Sequence, residues 1–443
     1  MLKTFKLGGV HPKENKLTAD KKIIQPPMPK TVSIAVAQHI GSPATVIVKK
    51  GDQVKVGTHV ANSSGFVSSN IHSSVSGTVV RIDDVMMPSG YKKTAVIIDV
   101  ENDEWDESID RTPDLITETP LNAKAIIQKI LEAGIVGLGG ATFPTNIKLS
   151  PPPGMKAEIL LINGVECEPY LTADHRLMIE KGDEVLVGTS LLMKALNVSR
   201  AVIGIENNKP DAIKNLTQLA RKYKGIEVCA LQVKYPQGGE KQLINAITGK
   251  EVPSGQLPIS VGAVVDNVGT AFAVYEAVMK NKPLFERVVT VTGKGLKSPS
   301  NFLVRIGTPV KDLIEAAGGL PESTGKVING GPMMGKAITT LDVPVQKGTS
   351  GILVMPESES FRSEEKPCIR CGKCISACPM GLEPYLLMTL SAKKIWDRSE
   401  TSHILDCMEC GSCAYTCPSS RPLLDFIRLG KSTVSKIIRS RKQ

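Results

Sequence analysis

Hydrophobic and polar positions follow several different patterns along the chain, and each pattern marks a region. Residues 1–30 are rich in proline and lysine and predict an extended arm. In residues 31–105, short apolar runs at 44–48, 77–82 and 95–100 are separated by glycine-containing turns, which predicts an all-β region. The beginning of the chain is therefore expected to be β-structure that follows an arm.

From residue 120 to residue 282, the pattern alternates between the helical period and buried strands, which predicts an α/β region. Residues 283–357 change character again: two strands are followed by a short helix, which Pro309 opens and which ends at Gly318 and Gly319. The chain therefore divides into several domains of mixed class. Within the α/β region, the helical segments are residues 121–133 and 211–223, and the strands are residues 158–165, 201–205 and 226–233.

The C-terminal end is the most unevenly charged part of the chain. The net charge is +10, and residues 428–443 contribute +6 of it without an acidic residue. In this basic tail, Val434, Ile437 and Ile438 share one face of a predicted helix. The tail fits an anionic membrane surface or an acidic partner, and a solvated terminus explains the same charges.

Composition excludes some classes of protein. The 443 residues are 41% hydrophobic and 4% aromatic, so the cores are expected to be mainly aliphatic. No run of eighteen apolar residues is present, and the first residues lack the apolar stretch of a signal peptide. A chain made and kept in the cytoplasm is the expectation, and thiols stay reduced in that compartment.

The cysteines are concentrated in a short segment. Of ten cysteines, eight form two runs with the spacing C-x2-C-x2-C-x3-C-P, which is too dense for a disulfide framework. Zinc sites favour separated C-x2-C pairs, whereas three thiolates two residues apart can wrap three corners of an iron–sulfur cubane. The spacing therefore predicts two [4Fe-4S] clusters in a ferredoxin-type domain, residues 366–427. A helical pattern between the two runs favours the helical form of that domain.

The fourth cysteine of each run, just before proline, binds the other cluster in two-cluster ferredoxins. The predicted ligands are therefore Cys368, Cys371, Cys374 and Cys417 for one cluster, and Cys407, Cys410, Cys413 and Cys378 for the other.

The segment GIVGLGGATFPTNIKL, residues 134–149, is a second candidate site. Its glycines could bring backbone N–H groups close to a phosphate. A helix precedes it and Phe143-Pro144 follows it, so it is not an ordinary dinucleotide fingerprint. From the residues alone, nucleotide binding and a plain turn both stay open.

This segment resembles the flavin loop of the complex I flavoprotein subunit, GRGGAGFPTGLKW. Three later segments resemble that family in the same order: NGVECEP its NADESEP, YPQGGE its YICGEE, and DNVGT its NNVET. Leu138 and Val165 depart from the family, which has arginine and aspartate there, and Gly239 replaces one of two glutamates. The resemblance implies a noncovalent FMN held by Gly137, Gly139, Gly140, Lys148, Asn163, Glu166, Asp266, Asn267 and Thr270, with Phe143, Glu168 and Glu240 facing NADH. Gly238, in the YPQGGE segment, is a further expected cofactor-binding residue.

The chain as a whole resembles the RnfC family, a peripheral component of Rnf electron-transport complexes. The match runs from GGVHP near the start, through GLGGATFPTNIKL and NGVECEPYLTADHRLM, to the two cysteine runs. Residues 31–105 resemble the barrel-sandwich hybrid of biotinyl carriers but have Gly65-Phe66-Val67-Ser68 where those carry a lysine. The implied domains are an arm, 1–30; a hybrid domain, 31–105; a Rossmann-like FMN/NADH domain, 120–282; a β-grasp (SLBB) domain, 283–357; the ferredoxin domain, 366–427; and the basic tail, 428–443.

The resemblance implies an NADH-dependent oxidoreductase component of an ion-translocating membrane complex. Its expected partners are the membrane subunits, the ferredoxin-like RnfB component, NADH and, indirectly, ferredoxin, with no nucleic acid. Its expected place is the cytoplasmic side of the membrane, as a peripheral subunit. Two alternatives stay open: a soluble flavin and iron–sulfur reductase such as cobalamin reductase, and an electron-transfer adaptor without NADH activity.

Overall fold

A computed structural model describes residues 2–441, and its strands form four sheets. The predicted arm is extended, but it is docked on the rest of the molecule. Its strand β1 (Ile23–Ile24) pairs in parallel with residues 301–302 of a later sheet. Lys3 and Val10 form isolated bridges with Leu231 and Tyr235. The arm therefore runs across two other domains.

Residues 31–100 fold as two small antiparallel sheets, in agreement with the all-β prediction. Their orders are β2-β8-β7-β4 and β3-β5-β6, and Val32, Ile34, Val60 and Ile98 are buried in the core they share. Phe66 lies in the segment that corresponds to the lysine-bearing turn of biotinyl carriers, and its side chain is 83% exposed. The strands are β2 (Thr31–Ala35), β3 (Thr45–Val46), β4 (Gln53–Val54), β5 (His59–Asn62), β6 (Ile71–His72), β7 (Gly77–Met86) and β8 (Lys92–Val100).

The central α/β region contains a four-stranded parallel sheet of order β11-β10-β9-β12. Alternate residues of each strand face opposite sides, so that Leu160 and Ile162 lie in one core and Leu161 in another. Helices α1, α4, α5 and α7 contribute to the first core, and α6 to the second. The elements are α1 (Ala123–Glu132), α2 (Thr145–Lys148), β9 (Ile159–Asn163), α3 (Ala173–Glu180), α4 (Gly182–Leu196), β10 (Ala201–Glu206), α5 (Pro210–Ala220), β11 (Ile226–Leu231), α6 (Glu240–Thr248), β12 (Ala263–Asn267) and α7 (Val268–Met279).

The next region forms a mixed six-stranded sheet of order β1-β14-β13-β17-β15-β16, which includes the strand from the arm. The helix predicted after Pro309 is present, and Val310, Leu313 and Ile314 bury its inner face. The elements are β13 (Glu286–Thr292), β14 (Ser300–Arg305), α8 (Val310–Ala316), β15 (Thr324–Asn329), β16 (Lys336–Ala337), β17 (Gly351–Pro356) and the short α9 (Glu357–Ser360).

The cysteine-rich region is helical, as the pattern between the runs predicts. Two short helices, α10 (Lys373–Ser376) and α13 (Ser412–Tyr415), each follow a glycine inside a cysteine run. The other helices are α11 (Pro384–Ala392), α12 (Trp396–Thr401) and α14 (Leu423–Arg441).

The basic tail is not a separate segment, because α14 continues through it without interruption. Val434 is 1% exposed, and Ile438 packs against the same hydrophobic core as the cysteines. Arg441 forms ion pairs with Asp397 and Glu400 of α12. The apolar face assigned to a membrane thus covers the ferredoxin-type region instead, which corrects that interpretation of the tail. Lys442 and Gln443 lie outside the described residues.

Within residues 2–441, no helix has both the length and the apolar character needed to cross a membrane.

Candidate functional site

The carboxyl ends of the central parallel strands meet at one edge of their sheet, where α/β proteins bind ligands. Strands β9 and β12 end at Asn163 and Asn267, which are neighbours in register. The Asn163 side chain donates to the Gly238 carbonyl at 2.8 Å. Asn267 caps α7 by accepting from the Gly269 N–H at 2.8 Å, and its amide donates to Asp174 at 2.7 Å. The two asparagines therefore connect the ends of β9 and β12 to the loop that contains Gly238 and to helices α3 and α7.

The glycine loop lies directly beside Asn267. The Gly137 N–H donates to the Phe143 carbonyl at 2.9 Å, and the Leu138 N–H donates to the Thr270 hydroxyl at 2.9 Å. A Cβ added to Gly139 would lie 3.5 Å from Asn267 Cβ, whereas one added to Gly140 would meet no atom within 4 Å. The loop is therefore fixed at both sides and open in the middle, so that a ligand can approach its backbone.

The ammonium group of Lys148 lies at the same edge of the sheet. The Lys148 ammonium donates to the Val265 carbonyl at 2.8 Å and lies 3.5 Å from Asp266 and 4.0 Å from Glu240. Burial raises the pKa of both carboxyls, and Lys148 acts in the opposite direction. Asp266 Oδ2 is buried without a hydrogen-bond partner in the described part of the chain. An unpaired buried oxygen is costly, so a donor from a ligand is expected there.

These residues fit FMN. The open backbone of the glycine loop and the Lys148 ammonium suit an anionic phosphate, the unpaired Asp266 oxygen suits a hydroxyl donor, and the asparagines can bond a polar ring edge. The structure brings seven of the residues predicted to hold FMN to this one edge, together with Gly238: Gly137, Gly139, Lys148, Asn163, Asp266, Asn267 and Thr270. Gly140 continues the same loop, and Phe143 and Glu240 border it.

Both carboxylates of the acidic loop, Glu166 and Glu168, accept hydrogen bonds from backbone N–H groups. The Glu166 carboxylate accepts from the N–H groups of Asp174 and His175 at 2.8 and 3.1 Å, so it caps helix α3. The Glu168 carboxylate accepts from the N–H groups of Met334 and Met333 at 2.6 and 3.2 Å. Burial raises the pKa of Glu168 to about 7, against the opposing effect of these two donors. Both carboxylates are therefore engaged with protein backbone.

Two residues of this site were missed by the sequence reasoning. The Lys16 ammonium, from the arm, donates to the carbonyls of Glu166, Glu168 and Leu171 at 2.8, 2.9 and 2.7 Å. The Asp174 carboxylate accepts a hydrogen bond from the Asn267 amide. The pKa of Asp174 is raised mainly by burial and, as a second cause, by the nearby Glu166 carboxylate. Asp174 stands inside the quoted segment NGVECEPYLTADHRLM, so the signal was present, whereas no local signal marks Lys16.

The two cysteine runs fold alike. Arg370 and Glu409 occupy the same place in each run and have φ values of 54° and 60°. The glycines that follow the second cysteines, Gly372 and Gly411, have φ values of 73° and 78°, and each begins a short helix. N–H groups also point to sulfur: Leu382 to Cys378 and Glu409 to Cys407, each at 3.4 Å. The two runs therefore share the same local backbone shape around their cysteines.

The fourth cysteines cross over between the runs. One cavity is lined by Cys378 together with Cys407, Cys410 and Cys413. Burial is the main cause that raises the pKa of the Cys413 thiol, and the nearby thiols of Cys407, Cys410 and Cys378 raise it further. Cys417 likewise contributes to raising the pKa of Cys374, which places it beside the first run. The four thiols that line this cavity fit a cubane cluster.

No three His, Cys, Asp or Glu side chains of residues 2–441 converge closely enough to hold a single metal ion. In a cubane, each thiolate binds a different iron, so the thiols surround the cluster rather than meet at one point.

The cysteine region contacts the edge that holds the glycine loop. The Tyr235 hydroxyl donates to the Cys410 carbonyl at 2.8 Å, and Gln242 donates to the Pro379 carbonyl at 3.1 Å. The other end of the cysteine region is open, since Cys368 and Cys371 are exposed. The cavity lined by Cys378 and Cys410 therefore lies on the side of the candidate FMN site.

Four family models match the chain in succession. They are the RnfC barrel sandwich hybrid domain at residues 3–104, the Nuo51 FMN-binding domain at 130–276, the SLBB domain at 288–337 and the 4Fe-4S dicluster domain at 360–418. The predicted fold class is thus confirmed.

Curated relatives match over nearly the whole chain. The C subunit of the proton-translocating ferredoxin:NAD(+) oxidoreductase complex of Clostridium ljungdahlii is 49% identical over 98% of this chain and 94% of its own. The C subunit of the Na(+)-translocating ferredoxin:NAD(+) oxidoreductase complex of Acetobacterium woodii is 45% identical over 97% of both chains.

Among solved structures, an NAD+-reducing [NiFe]-hydrogenase in the H2-reduced state matches with a TM-score of 0.51 and 19% identity. The match covers 71% of this chain and 62% of that one, which is less than two thirds of its length. This similarity concerns the fold alone.

Proposed function

The chain belongs to the RnfC family of ion-translocating ferredoxin:NAD(+) oxidoreductase complexes, and from this premise we propose which of its residues hold each cofactor and in what order electrons pass. The protein is an NADH-dependent oxidoreductase subunit that passes electrons between NAD(H), FMN and two [4Fe-4S] clusters. The family assignment favours this activity over the cobalamin reductase and adaptor alternatives.

The FMN site is proposed at the carboxyl edge of the parallel sheet. When bound, FMN takes up a hydride from NADH and releases electrons one at a time. The chain supplies placement: the glycine loop and Lys148 bind the phosphate end, Asp266 accepts from a hydroxyl, and Asn163 and Asn267 orient the ring. The single observation that supports this site most strongly is the unpaired Asp266 oxygen beside Lys148.

On the NADH side, Phe143 and Glu240 are proposed to face the nicotinamide, because both border the open part of the glycine loop. Glu168 is assigned a supporting role, since its carboxylate is held by the Met333 and Met334 N–H groups. Glu166 supports the site by capping α3, from which Asp174 reaches Asn267.

The cluster held by Cys378, Cys407, Cys410 and Cys413, here called the inner cluster, is proposed to exchange electrons with FMN. The contact of Tyr235 with Cys410 supports this order. The cluster held by Cys368, Cys371, Cys374 and Cys417, here called the outer cluster, is proposed as the exit because Cys368 and Cys371 are exposed. The order of transfer from NADH is then FMN, inner cluster, outer cluster and partner.

The protein is a subunit of a multisubunit complex, and its proposed partners are the membrane subunits and the ferredoxin-like RnfB component, with ferredoxin reached indirectly. Its proposed place is the cytoplasmic face of the membrane, as a peripheral subunit. Three basic residues, Lys366, Arg370 and Lys373, are exposed beside the outer cysteines and suit an acidic electron carrier.

The experiment that tests this proposal is the substitution Gly139→Val in anaerobically purified protein. The valine side chain would fill the space between the glycine loop and Asn267, where an added Cβ already lies 3.5 Å from Asn267 Cβ, so FMN content should fall to near zero while iron stays near eight atoms per chain. Dithionite should still reduce both clusters in this variant, and NADH should not. The wild-type protein should show NADH-driven flavin bleaching followed by the electron paramagnetic resonance (EPR) signals of reduced clusters.

The control is Gly154→Ala, where an added Cβ meets no atom within 4 Å and the φ of +83° adds backbone strain outside the glycine loop. It should retain FMN and NADH activity. Full FMN content in Gly139→Val, or NADH reduction of the clusters in flavin-free protein, would contradict the proposal.

A further inference from the structure

Residues 3–10, here called the N-terminal strap, lie along the loop that joins the FMN domain to the inner cluster. The Lys3 carbonyl accepts from the Gln232 N–H at 2.9 Å. Val10 and Tyr235 exchange two backbone hydrogen bonds, at 2.8 and 2.9 Å. The Lys234 ammonium donates to the Phe5 carbonyl at 3.1 Å and lies 4.1 Å from the centre of the Phe5 ring. One side of the strap is therefore paired with residues 232–235.

The other side of the strap touches the cysteine that crosses over. The Gly9 N–H donates to the carbonyl of Ala377 at 3.0 Å, one residue before Cys378. Gly8 has a φ of +68°, and a Cβ there would lie 2.4 Å from the Cys378 oxygen and 2.8 Å from the Pro379 nitrogen. These neighbours are backbone atoms and cannot turn away as a flexible side chain can. Only glycine lets the strap lie this close to Cys378.

Tyr235 completes the connection. Its backbone pairs with Val10 and its hydroxyl donates to the Cys410 carbonyl. Val10, Tyr235, Ala377 and Cys410 are buried in one hydrophobic cluster, with Cys167 of the acidic loop packed against it. Cys378 and Cys410 in turn line the cavity assigned to the inner cluster. The strap thus contacts the flavin side and the cluster side of the same junction.

We propose that the N-terminal strap is a positioning element for electron transfer: Gly8 and Gly9 fix the backbone of Cys378 against Tyr235 and so set the place of the inner cluster relative to the FMN site. This inference rests on the proposed function. The strap touches neither NADH nor a reacting atom, and it acts through Cys378 and Tyr235. The GGVHP motif near the start of the chain thereby acquires a physical role.

The test uses the full chain with Gly8→Ala, purified anaerobically. Alanine at this φ is strained, and its methyl group must push back the backbone of Cys378. We expect FMN and iron contents to stay at the wild-type level while the EPR spectrum and midpoint potential of the inner cluster change. Electron transfer from NADH-reduced flavin to the cluster should become slower than in the wild type, because its rate depends on the distance between the two cofactors.

The matched control is Gly51→Ala, at a φ of +91° with no atom within 4 Å of an added Cβ. It carries the same kind of backbone strain in the hybrid domain, far in sequence from the strap, and should leave the spectrum and the rate unchanged. A purely structural strap would lower stability in Gly8→Ala without altering the spectrum of the cluster that remains.

A milder variant, Val10→Ala, covers the case in which Gly8→Ala does not fold. Val10 is 8% exposed and packs on Tyr235, so its truncation loosens the strap without a clash. It should change the inner-cluster spectrum and the rate in the same direction, to a smaller extent. A wild-type spectrum and rate in whichever of these variants folds would overturn the proposal.

The spectra are recorded after dithionite reduction, which does not need NADH. Failure of the wild-type protein to pass electrons from NADH to its clusters would therefore count against the proposed function, whereas an unchanged dithionite spectrum in the strap variants counts against the strap.

Discussion

At the scale of single residues, crossed ligation by Cys378 can be tested with paired substitutions. In Cys378→Ala/Cys410→Ala both changes fall on the inner cluster, so the outer cluster and about four iron atoms should remain. In Cys378→Ala/Cys371→Ala the changes fall on different clusters, and iron should fall toward zero. Iron content and EPR of anaerobic protein measure both results. Ligation within each run would reverse the two outcomes.

Glu168 predicts a dependence of stability on pH. Burial raises the pKa of its carboxyl in the folded protein to about 7, from an ordinary value of 4.5. Between these pH values the folded state binds more protons than the unfolded state. The contribution of Glu168 to the free energy of unfolding is therefore fully present below pH 4.5 and is lost as pH rises through 7. Glu168→Gln should remove this dependence. The melting temperature of the wild type relative to the variant should therefore fall between pH 5 and 8, and a constant difference across that range would contradict the assignment.

The roles of individual residues could be predicted where their spacing along the chain is typical of one kind of site, as for the cysteines. The eight cysteines stand at intervals typical of cubane clusters, so the clusters could be predicted from the sequence, and the crossed ligation stays a prediction. The roles of Glu166 and Glu168 did not follow, because their partners are distant in the chain. Lys16 lies 150 residues before Glu166, and Met333 and Met334 are supplied by a different domain.

At the scale of elements, helix α14 predicts where the C-terminal part of the chain acts. Val434 is 1% exposed and packs in the core that contains Cys378 and Cys413. Val434→Ala should destabilise the ferredoxin domain by roughly 1–3 kcal/mol, as other core truncations do. Loss of cluster absorbance on heating measures this effect.

The control for this prediction is Leu429→Ala on the same helix, since Leu429 is 54% exposed. Its effect should stay within about 0.5 kcal/mol. Equal effects of the two substitutions would mean that α14 does not pack as described and would reopen the membrane interpretation of the tail.

Periodicity predicted the helix that contains Val434, Ile437 and Ile438, but not what its apolar face contacts. An amphipathic face is the same in sequence whether it meets lipid or a protein core. The arm shows the same limit. Its extended form could be predicted from proline and lysine content, whereas its pairing of Ile23 and Ile24 with residues 301–302 depends on a strand almost three hundred residues away.

At the scale of the whole molecule, the order of domains could be predicted and their mutual placement could not. Family resemblance indicated a hybrid domain, an FMN domain, an SLBB domain and a ferredoxin domain in this order, and the four matched family models occur in the same order. The proposed placement of the inner cluster beside the FMN site rests on contacts of Tyr235, of Gln242 and of the strap, all between distant parts of the chain. No local pattern records such contacts.

The order of the two clusters gives a prediction for the whole electron path. Cys371→Ala removes a ligand of the outer cluster only, so NADH should still reduce the inner cluster through FMN, at the wild-type rate. Transfer onward to the ferredoxin-like RnfB component should be lost, because the outer cluster, with its exposed cysteines, is the proposed exit. Cys410→Ala should have the opposite pattern. The outer cluster should stay reducible by dithionite, but its reduction by NADH should become slow, because the inner cluster beside Tyr235 is lost.

Rapid freezing after mixing with NADH, followed by EPR, separates the two variants. Both retain FMN, because neither cysteine touches the glycine loop, and flavin bleaching by NADH serves as the internal control. The decisive observation is the outer cluster in Cys410→Ala. If NADH reduces it as fast as in the wild type, electrons reach it without the inner cluster, and the proposed order of the path is wrong.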